Sequence, residues 1–407
     1  MNKLLQKLQQ YDQTHLLNFY DELSEDERTY LLQEIEKIDF ELMKGLYECV
    51  DVRTADMKYV TEVTATKKEE IEDKEKYIQI GAEIIRNGEL AVCSMAGGQG
   101  TRLGHNGPKG TFIVDINPPK SIFQILTEKL IKVYEQYGIY VNWYIMTSEA
   151  NNDETIKYFE ENNYFNYNKN HIRFFKQGEL PLLDMNGKVV LKEKSKIHMA
   201  ADGNGGVFEA LYKNKILEDM KEKNIKYLCL GNVDNILIKQ VDEFLLGMMK
   251  DKNYSLAGKA IPKRSPDEPV GVFCKINEQP SVIEYSDIDK ELANKTNENG
   301  ELIFGKAHFG CNTFSLDLLE KIATKKLPYH TAKKKNSYID ENGKAIEALE
   351  PNTYKFEAFI FDGFIMADDI FILECKREEE FAPIKNKEGN DSPETAKELY
   401  LNFYQNS

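Results

Sequence analysis

The sequence predicts an α/β protein in which a sheet containing parallel strands follows a small N-terminal helical domain. From residue 89 onward, short apolar runs long enough for buried strands alternate with segments of helical periodicity. A glycine-rich loop follows the first of these runs, Leu90–Met95, and ligands in α/β sheets bind at such strand ends. The first 50 residues instead carry leucine, isoleucine and tyrosine at helical spacing.

The predicted domain boundaries follow these changes of pattern. We expect an N-terminal helical region over residues 1–60, the α/β domain over residues 61–385 and a short C-terminal helical tail over residues 386–407. Ser24 and Glu27 have the S-x-x-E spacing of a capping box, in which each residue satisfies a backbone donor of the other. A helix should therefore begin there. The charged stretch Thr66–Glu75 indicates a connector or an exposed helix.

The glycine loop has the properties of a phosphate-binding loop. Gly97, Gly98, Gly100 and Gly104 allow backbone N–H groups to come close to an anion, and Arg102 and Lys109 add positive charge. The spacing G-x-G-x-x-x-G is one residue longer than the dinucleotide fingerprint. Lys109 follows Pro108, so the loop does not contain the G-x-x-x-x-G-K-[ST] motif either.

A second polar turn follows another predicted core strand. Strands are expected at Val141–Met146 and Tyr227–Leu230, and a helix should begin within Lys120–Leu126. Asp234 lies just beyond the carboxyl end of the Tyr227–Leu230 strand. The glycine loop follows the carboxyl end of the Leu90–Met95 strand, so both should lie at the same edge of the sheet. A carboxylate in that position can bind Mg²⁺ while the metal keeps waters and takes substrate phosphates. The alternative is that Asp234 is an ordinary turn-forming residue.

The composition excludes several classes of protein. A formal net charge of -15 argues against a nucleic-acid-coating surface, which depends on neutralising phosphates. The six cysteines form no C-x-x-C pair, so we expect free thiols in a reducing compartment. No stretch approaches the roughly 20 apolar residues of a spanning helix. We therefore expect a cytoplasmic protein with neither nucleic-acid nor membrane partners.

Ala96–Gly104 together with Pro108–Gly110 resembles the nucleotide-binding signature of the UDP-N-acetylhexosamine pyrophosphorylases, which are eukaryotic-type UDP-sugar uridylyltransferases. Matching segments run from the first helices to about residue 400, including the specific block Lys376–Asn386. The resemblance implies a Rossmann-like mixed-sheet nucleotidyltransferase core of the glycosyltransferase A type. It implies UTP and N-acetylglucosamine 1-phosphate as substrates, UDP-N-acetylglucosamine and pyrophosphate as products, and Mg²⁺ or Mn²⁺ as cofactor. The protein is expected to be a monomer or homodimer.

The resemblance also implies residue roles. Arg102, Lys109 and Lys355 would be catalytic, with Lys355 on the sugar phosphate, and Asp234 would bind the metal. Gln177 would contact the uracil, which an amide can meet with both a donor and an acceptor. The other implied nucleotide contacts are Ala96, Gly97, Gly98, Gly100, Thr101, Met199 and Gly205. Asn204, Glu284 and either Cys311 or Asn312 would contact the sugar.

Three alternatives stay open at this point. A UDP-glucose or broad-specificity UDP-sugar pyrophosphorylase would share the fold and mechanism. N-acetylgalactosamine 1-phosphate could be the preferred sugar, because one epimeric hydroxyl is recognised by pocket geometry that spacing does not reveal. A catalytically silent nucleotide-sugar-binding protein would also share the fold, because fold does not fix function.

Overall fold

The computed structural model describes residues 2–50 and 59–405. The chain divides into two compact units, each assembled from three separate segments. The first unit combines Met1–Ala55, Gly178–Gly206 and Leu327–Ile360. The second combines Asp56–Gln177, Val207–Lys326 and Phe361–Ser407. The division into domains of consecutive sequence stays a prediction.

The described residues form both helices and strands around a large mixed sheet, which confirms the predicted α/β class. The α-helices are α1 (Asn2–Gln10), α2 (Glu25–Lys37), α3 (Phe40–Glu48), α4 (Lys74–Arg86), α5 (Ile122–Tyr137), α6 (Asn152–Glu161), α7 (Val207–Lys213), α8 (Ile216–Glu222), α9 (Glu243–Lys252), α10 (Lys290–Ala293), α11 (Leu316–Ala323), α12 (Arg377–Glu380) and α13 (Pro393–Gln405). The strands are β1 (Val60–Thr61), β2 (Thr66–Lys67), β3 (Leu90–Met95), β4 (Ile113–Val114), β5 (Lys120–Ser121), β6 (Asn142–Thr147), β7 (Ile172–Lys176), β8 (Glu179–Pro181), β9 (Leu183–Asp184), β10 (Leu191–Glu193), β11 (Lys196–Ile197), β12 (Met199–Ala201), β13 (Tyr227–Asn232), β14 (Leu256–Pro262), β15 (Val272–Ile276), β16 (Gln279–Ile283), β17 (Lys306–Ser315), β18 (His330–Lys334), β19 (Tyr338–Ile339), β20 (Ala345–Ile346), β21 (Thr353–Glu357) and β22 (Phe371–Glu374).

A large mixed sheet forms the centre of the second unit. Its strand order is β2-β22-β14-β17-β13-β3-β6-β7, and β15 extends it from β17 with β16 and β1. The strands β13, β3, β6 and β7 are parallel to one another, whereas β17 is antiparallel to both β13 and β14. All six residues of β3 are buried, because neighbouring strands flank it and the sheet is covered on both faces.

The carboxyl ends of β3 and β13 lie level with each other. Met95 pairs with Asn232 in their parallel register, and the Val233 N–H donates to the Met95 carbonyl at 3.3 Å. The glycine loop and the Asp234 turn therefore leave the sheet side by side, as the sequence predicts.

The first unit packs its N-terminal helices against short strands from the two later segments. Its core includes Leu31 and Ile35 of α2 together with Leu191 and Phe356 of the strands. Ser24 and Glu27 form the predicted capping box at the start of α2. The Glu34 carboxylate accepts the Ile197 N–H at 2.9 Å, so α2 is also hydrogen-bonded to β11.

A fully buried ion triad fixes one side of the large sheet. Lys259 of β14 lies 2.8 Å from the Asp242 carboxylate and 2.7 Å from the Glu380 carboxylate, and its ammonium also donates to the Lys239 carbonyl at 3.0 Å. Burial opposes its charge, but the two carboxylates together raise the pKa of Lys259 well above its usual value. The triad joins β14, the start of α9 and α12.

Most of the remaining local predictions agree with the structure to within a few residues. The exception is the charged stretch Thr66–Glu75, predicted to be a connector or an exposed helix: its first two residues form β2, which pairs with β22 in the large sheet. The strand predicted at Val141–Met146 is β6, the strand predicted at Tyr227–Leu230 continues to Asn232, and the C-terminal segment forms α13. All six cysteines belong to the described residues and are free thiols. Among the described helices, none combines the length and apolar character that a membrane crossing needs.

Replacing Lys259 by alanine should destabilise the protein strongly, because Asp242 and Glu380 would stay buried without their cation. We expect a loss of about 3–5 kcal/mol in the free energy of unfolding. Urea denaturation followed by circular dichroism measures it, with Lys250→Ala as the control because Lys250 is an exposed lysine of α9. A loss below about 1 kcal/mol, the size of a surface pair, would contradict the structural role of the triad.

Candidate active site

The glycine loop folds back on itself after β3. Gln99 and Pro108 form an antiparallel bridge, in which the Gly100 N–H donates to the Gly107 carbonyl and the Lys109 N–H to the Gly98 carbonyl, each at 3.0 Å. Gly104 and Gly107 have φ values of 71° and 140°, which glycine adopts more readily than other residues. These bonds shape the loop and set the position of Lys109 on its returning arm.

The start of the loop offers backbone donors to an anion. Within the described residues, the N–H groups of Gly97 and Gly98 have no hydrogen-bond acceptor. A Cβ placed on Gly98 would meet no atom within 4 Å, so the backbone there is accessible from one side. Such N–H groups favour phosphate oxygens. Ala96 is buried, and Thr101 opens a short 3₁₀ turn that carries the exposed Arg102.

Gln177 lies directly against this part of the loop. A Cβ placed on Gly97 would lie 2.5 Å from the Gln177 Oε1, so the end of the Gln177 side chain lies directly over the Gly97 backbone. The Gln177 N–H donates to the Thr147 carbonyl at 2.8 Å, which holds the backbone of Gln177 at the end of β6. The structure therefore brings the predicted uracil-binding amide next to the predicted phosphate loop.

Lys109 and Asp234 form an ion pair across the neighbouring strand ends. The Lys109 Nζ lies 3.0 Å from the Asp234 Oδ2, and the two side chains are only 16% and 18% exposed. Lys109 comes from the loop after β3, and Asp234 comes from the turn after β13. Two residues separated by 125 positions in sequence thus share one small, partly shielded site.

The side chain of Asn235 fixes the turn that carries Asp234. The Asn235 Nδ2 donates to the Glu380 carbonyl at 2.7 Å, and its Oδ1 accepts the N–H groups of Ala382 and Leu237 at 2.9 Å and 3.2 Å. The Ile384 N–H donates to the Asp234 carbonyl at 2.9 Å. The segment after α12 therefore fixes the backbone that carries the Asp234 carboxylate.

The predicted sugar contacts of the second unit have different surroundings. Glu284 follows β16 and is half-buried, with its Oε1 3.2 Å from the position of a Cβ on Gly271. Cys311 and Asn312 are both 1% exposed on β17. The Cys311 Sγ lies 3.8 Å from that of Cys229, and the Nδ2 and Oδ1 of Asn312 lie 2.9 Å and 3.2 Å from the His308 Nε2. Burial lowers the pKa of His308 to about 4, so its ring is neutral and forms this hydrogen bond as donor or acceptor according to its tautomer.

Four predicted site residues belong to the first unit. Met199 pairs with Pro181 between β12 and β8. The Asn204 Oδ1 accepts the Ile360 N–H at 2.9 Å, and the Gly205 N–H donates to the Ala358 carbonyl at 2.9 Å. The Lys355 ammonium lies 2.7 Å from the Glu357 carboxylate on β21. The turn that contains Asn204 and Gly205 is thus hydrogen-bonded to the segment that follows Lys355.

Comparisons with known proteins agree on one family. Residues 40–391 match the family model described as UTP--glucose-1-phosphate uridylyltransferase. The UDP-N-acetylglucosamine pyrophosphorylase of Saccharomyces cerevisiae is 40% identical over 338 residues, which cover 80% of this chain and 71% of the yeast protein. UDP-N-acetylglucosamine diphosphorylase 1 of Arabidopsis thaliana is 35% identical over 425 residues, covering 98% of this chain and 83% of the plant protein.

This chain belongs to the UDP-N-acetylglucosamine pyrophosphorylase family.

A solved structure supports the same relationship. The uridine diphosphate N-acetylglucosamine pyrophosphorylase of Trypanosoma brucei, crystallised in complex with an inhibitor, has a TM-score of 0.81 and 29% identity. The match covers 98% of this chain and 84% of the trypanosomal chain. The fold and the family predicted from the sequence are thus confirmed, whereas the roles of the individual site residues stay predictions.

Two buried asparagines of this family member were not found by sequence reasoning. Asn235 is one, and Asn151 is the other: its Nδ2 donates to the Ala96 carbonyl at 3.0 Å and its Oδ1 accepts the Ser148 N–H at 2.8 Å. Asn151 therefore ties the start of the glycine loop to the turn after β6. Its place after a predicted strand, at the same sheet edge, was the available signal. Asparagine is so common in turns that this signal alone is weak.

Replacing Asn235 by alanine should destabilise the second unit, because the buried Glu380 carbonyl and the Ala382 and Leu237 N–H groups would lose their partner. We expect a loss of about 2–3 kcal/mol in the free energy of unfolding. Urea denaturation measures it, and Asn170→Ala is the control because the Asn170 side chain is exposed. Equal stability of the two variants would show that Asn235 does not fix the Asp234 turn.

Proposed function

We propose that the protein is a uridylyltransferase that converts UTP and N-acetylglucosamine 1-phosphate into UDP-N-acetylglucosamine and pyrophosphate. The observation that carries the proposal is the ion pair between Lys109, on a glycine loop suited to phosphate, and Asp234 after the neighbouring strand, in a chain of this family. The names of the yeast, plant and trypanosomal relatives specify the N-acetylglucosamine nucleotide as their product. A UDP-glucose or broad-specificity enzyme is the second candidate, because the matching family model bears the glucose name.

The chemistry needs little from the protein beyond positioning and charge. The phosphate of the sugar is already an anion and can attack the α-phosphorus of UTP in line, with pyrophosphate leaving, so no general base is required. Rate enhancement of such transfers comes mainly from orientation and from neutralising developing charge. In the proposal, the N–H groups of Gly97 and Gly98 hold phosphate oxygens. Arg102 and Lys109 supply positive charge, and Gln177 orients the uracil.

A divalent cation, Mg²⁺ or Mn²⁺, is part of the proposal. Among the described residues, no group of three or more histidine, cysteine or acidic side chains is placed to hold a metal ion. A single carboxylate such as Asp234 nevertheless suits Mg²⁺, which commonly uses one or two carboxylates together with substrate phosphates and water. When bound, the cation would neutralise charge on the triphosphate.

The remaining roles are proposed by family resemblance. Lys355 would bind the phosphate of the sugar, and Met199 and Gly205 would line the uridine site. Asn204, Glu284 and Cys311 or Asn312 would determine the choice of sugar. The proposal places a monomer or homodimer in the cytoplasm, which light scattering and cell fractionation test.

The decisive experiment measures pyrophosphate release from UTP and Mg²⁺ with N-acetylglucosamine 1-phosphate, N-acetylgalactosamine 1-phosphate or glucose 1-phosphate. We expect the highest kcat/KM with N-acetylglucosamine 1-phosphate, because the relatives are named for that sugar. A preference for glucose 1-phosphate would keep the mechanism but replace the substrate. Absence of release with every sugar, while UTP still binds, would indicate a silent nucleotide-sugar-binding protein.

Replacing Lys109 by alanine should lower kcat, because a preorganised positive charge would be missing from the triphosphate site. Loss of one such donor commonly costs about 10²–10³ in rate. The Mg²⁺ concentration for half-maximal rate should not rise, because the variant lacks the Lys109 ammonium, which competes with Mg²⁺ for the Asp234 carboxylate. Steady-state kinetics with Lys250→Ala as the control tests this, and a loss of kcat below about tenfold in a folded variant would exclude the catalytic role.

Replacing Asp234 by asparagine should have the complementary effect. The amide keeps the shape of the side chain but removes the charge that would attract the cation, so we expect a rise of about tenfold or more in the Mg²⁺ requirement. Mn²⁺ binding in the presence of UTP, followed by electron paramagnetic resonance, gives a readout that does not need turnover. Asp115→Asn is the matched control, because Asp115 is a surface residue paired only with Lys397 among the described residues. Unchanged Mn²⁺ affinity would remove Asp234 from the metal site.

A further inference from the structure

A cleft lies in the second unit, and none of its lining residues belongs to the glycine loop. It has a volume of about 240 Å³ and is enclosed by α5, by residues 237–243 and by α13. Its apolar wall includes Leu126, Leu130, Leu237 and Phe403. Trp143, the only tryptophan of the chain, also lines it. The proposed reaction uses none of these residues.

The polar side of the cleft carries two lysine side chains, Lys129 and Lys132. Lys129 donates to the Ile238 carbonyl at 2.9 Å, and Lys132 lies over the Tyr404 ring at 4.5 Å. Neither lysine forms an ion pair with a carboxylate among the described residues. The two acidic residues of the lining already have cations: Glu243 lies 3.5 Å from Lys239, and Glu379 lies 3.0 Å from Lys376.

We propose that this cleft binds a small amphipathic organic anion, whose apolar body contacts Leu126, Leu130 and Phe403 while its acidic group contacts the ammonium groups of Lys129 and Lys132. Ligand sites typically combine an apolar lining with a few polar groups that fix orientation, and this lining has that composition. A neutral apolar molecule would leave both lysines without a carboxylate. A cationic ligand would be repelled by the ammonium groups.

The position of the cleft relates it to the proposed active site through one segment. Ile238 and Lys239 line the cleft, and the same segment begins at Asp234. A molecule that contacts the Lys129 ammonium therefore acts on a residue that is hydrogen-bonded to the segment presenting the Asp234 carboxylate. The binding proposal itself does not depend on the proposed reaction, and its test needs no turnover.

The protonation of Lys129 supplies a second signature of binding. Burial lowers the pKa of Lys129 to about 7, so its amine is partly neutral near physiological pH. Other groups that influence this amine are Glu380 of α12, Lys259 of β14, Lys132 of α5 and Cys311 of β17, and the cleft also contains Lys239, Glu243 and Glu379. An anion that contacts the amine favours its charged form. The affinity should therefore increase as the pH falls through 7, by about tenfold between pH 8 and pH 6.

The test uses 4-iodobenzoate, an aromatic carboxylate whose iodine quenches tryptophan emission on contact, and its uncharged analogue 4-iodobenzyl alcohol. We expect saturable quenching of Trp143 by the carboxylate and about tenfold weaker binding of the alcohol, because a charged partner strengthens a hydrogen bond substantially. Lys129→Met should weaken carboxylate binding by a similar factor and abolish its pH dependence. Lys132→Met, at an exposed position that folding does not depend on, should weaken it as well, whereas Lys250→Met should leave it unchanged.

Several outcomes would overturn the proposal. Non-saturable quenching that is equal for both probes would mean that the cleft does not select an anion. Displacement of the probe by UTP would assign the binding to the nucleotide site. A Trp143 emission that changes with protein concentration in the absence of probe would indicate that a second copy of the chain covers the cleft.

Discussion

The buried contact of Lys259 with Asp242 and Glu380 is the interaction on which the arrangement of the second unit depends. Its three charges come from β14, from the start of α9 and from α12, so one ammonium connects three elements of the unit. Its additional hydrogen bond to the Lys239 carbonyl fixes the segment between Asp234 and α9. Buried ion pairs seldom add stability over an apolar replacement, but an unpaired member is costly. The triad therefore specifies one arrangement of these elements by penalising every arrangement that separates them.

The same elements position Asp234, the carboxylate proposed to bind the metal. Glu380 contributes its carboxylate to Lys259 and its carbonyl to the Asn235 amide, and the next residues bind the Asn235 Oδ1 and the Asp234 carbonyl. The block after α12 is thus a backbone support for a turn that lies about 145 residues earlier in sequence. Its specific match to the family has a structural explanation, because it holds the turn that carries Asp234.

Local features of the fold could be predicted from the sequence, whereas most long-range contacts could not. The capping box at Ser24 and the strand Leu90–Met95 depend on neighbouring residues, so pattern and spacing were sufficient. The meeting of the glycine loop with Asp234 could also be predicted, because parallel strands align their carboxyl ends. The roles of Lys259 and Asn235 could not, since each depends on partners more than 100 residues away. Nor did any local signal show that the N-terminal helices would share a core with β10 and β21.

The ion pair between Lys109 and Asp234 explains how the proposed site can be stable before substrate arrives. Each residue carries a charge that phosphate chemistry needs, and each is too shielded to be fully hydrated. At 3.0 Å the two charges satisfy each other, so neither pays the full cost of burial alone. Incoming phosphates offer Lys109 a new partner and would leave Asp234 available to a cation. Because one attraction replaces another, the charges that the proposed transfer would use are held in place without a large penalty before substrates bind, which is the sense in which the proposed site is preorganised.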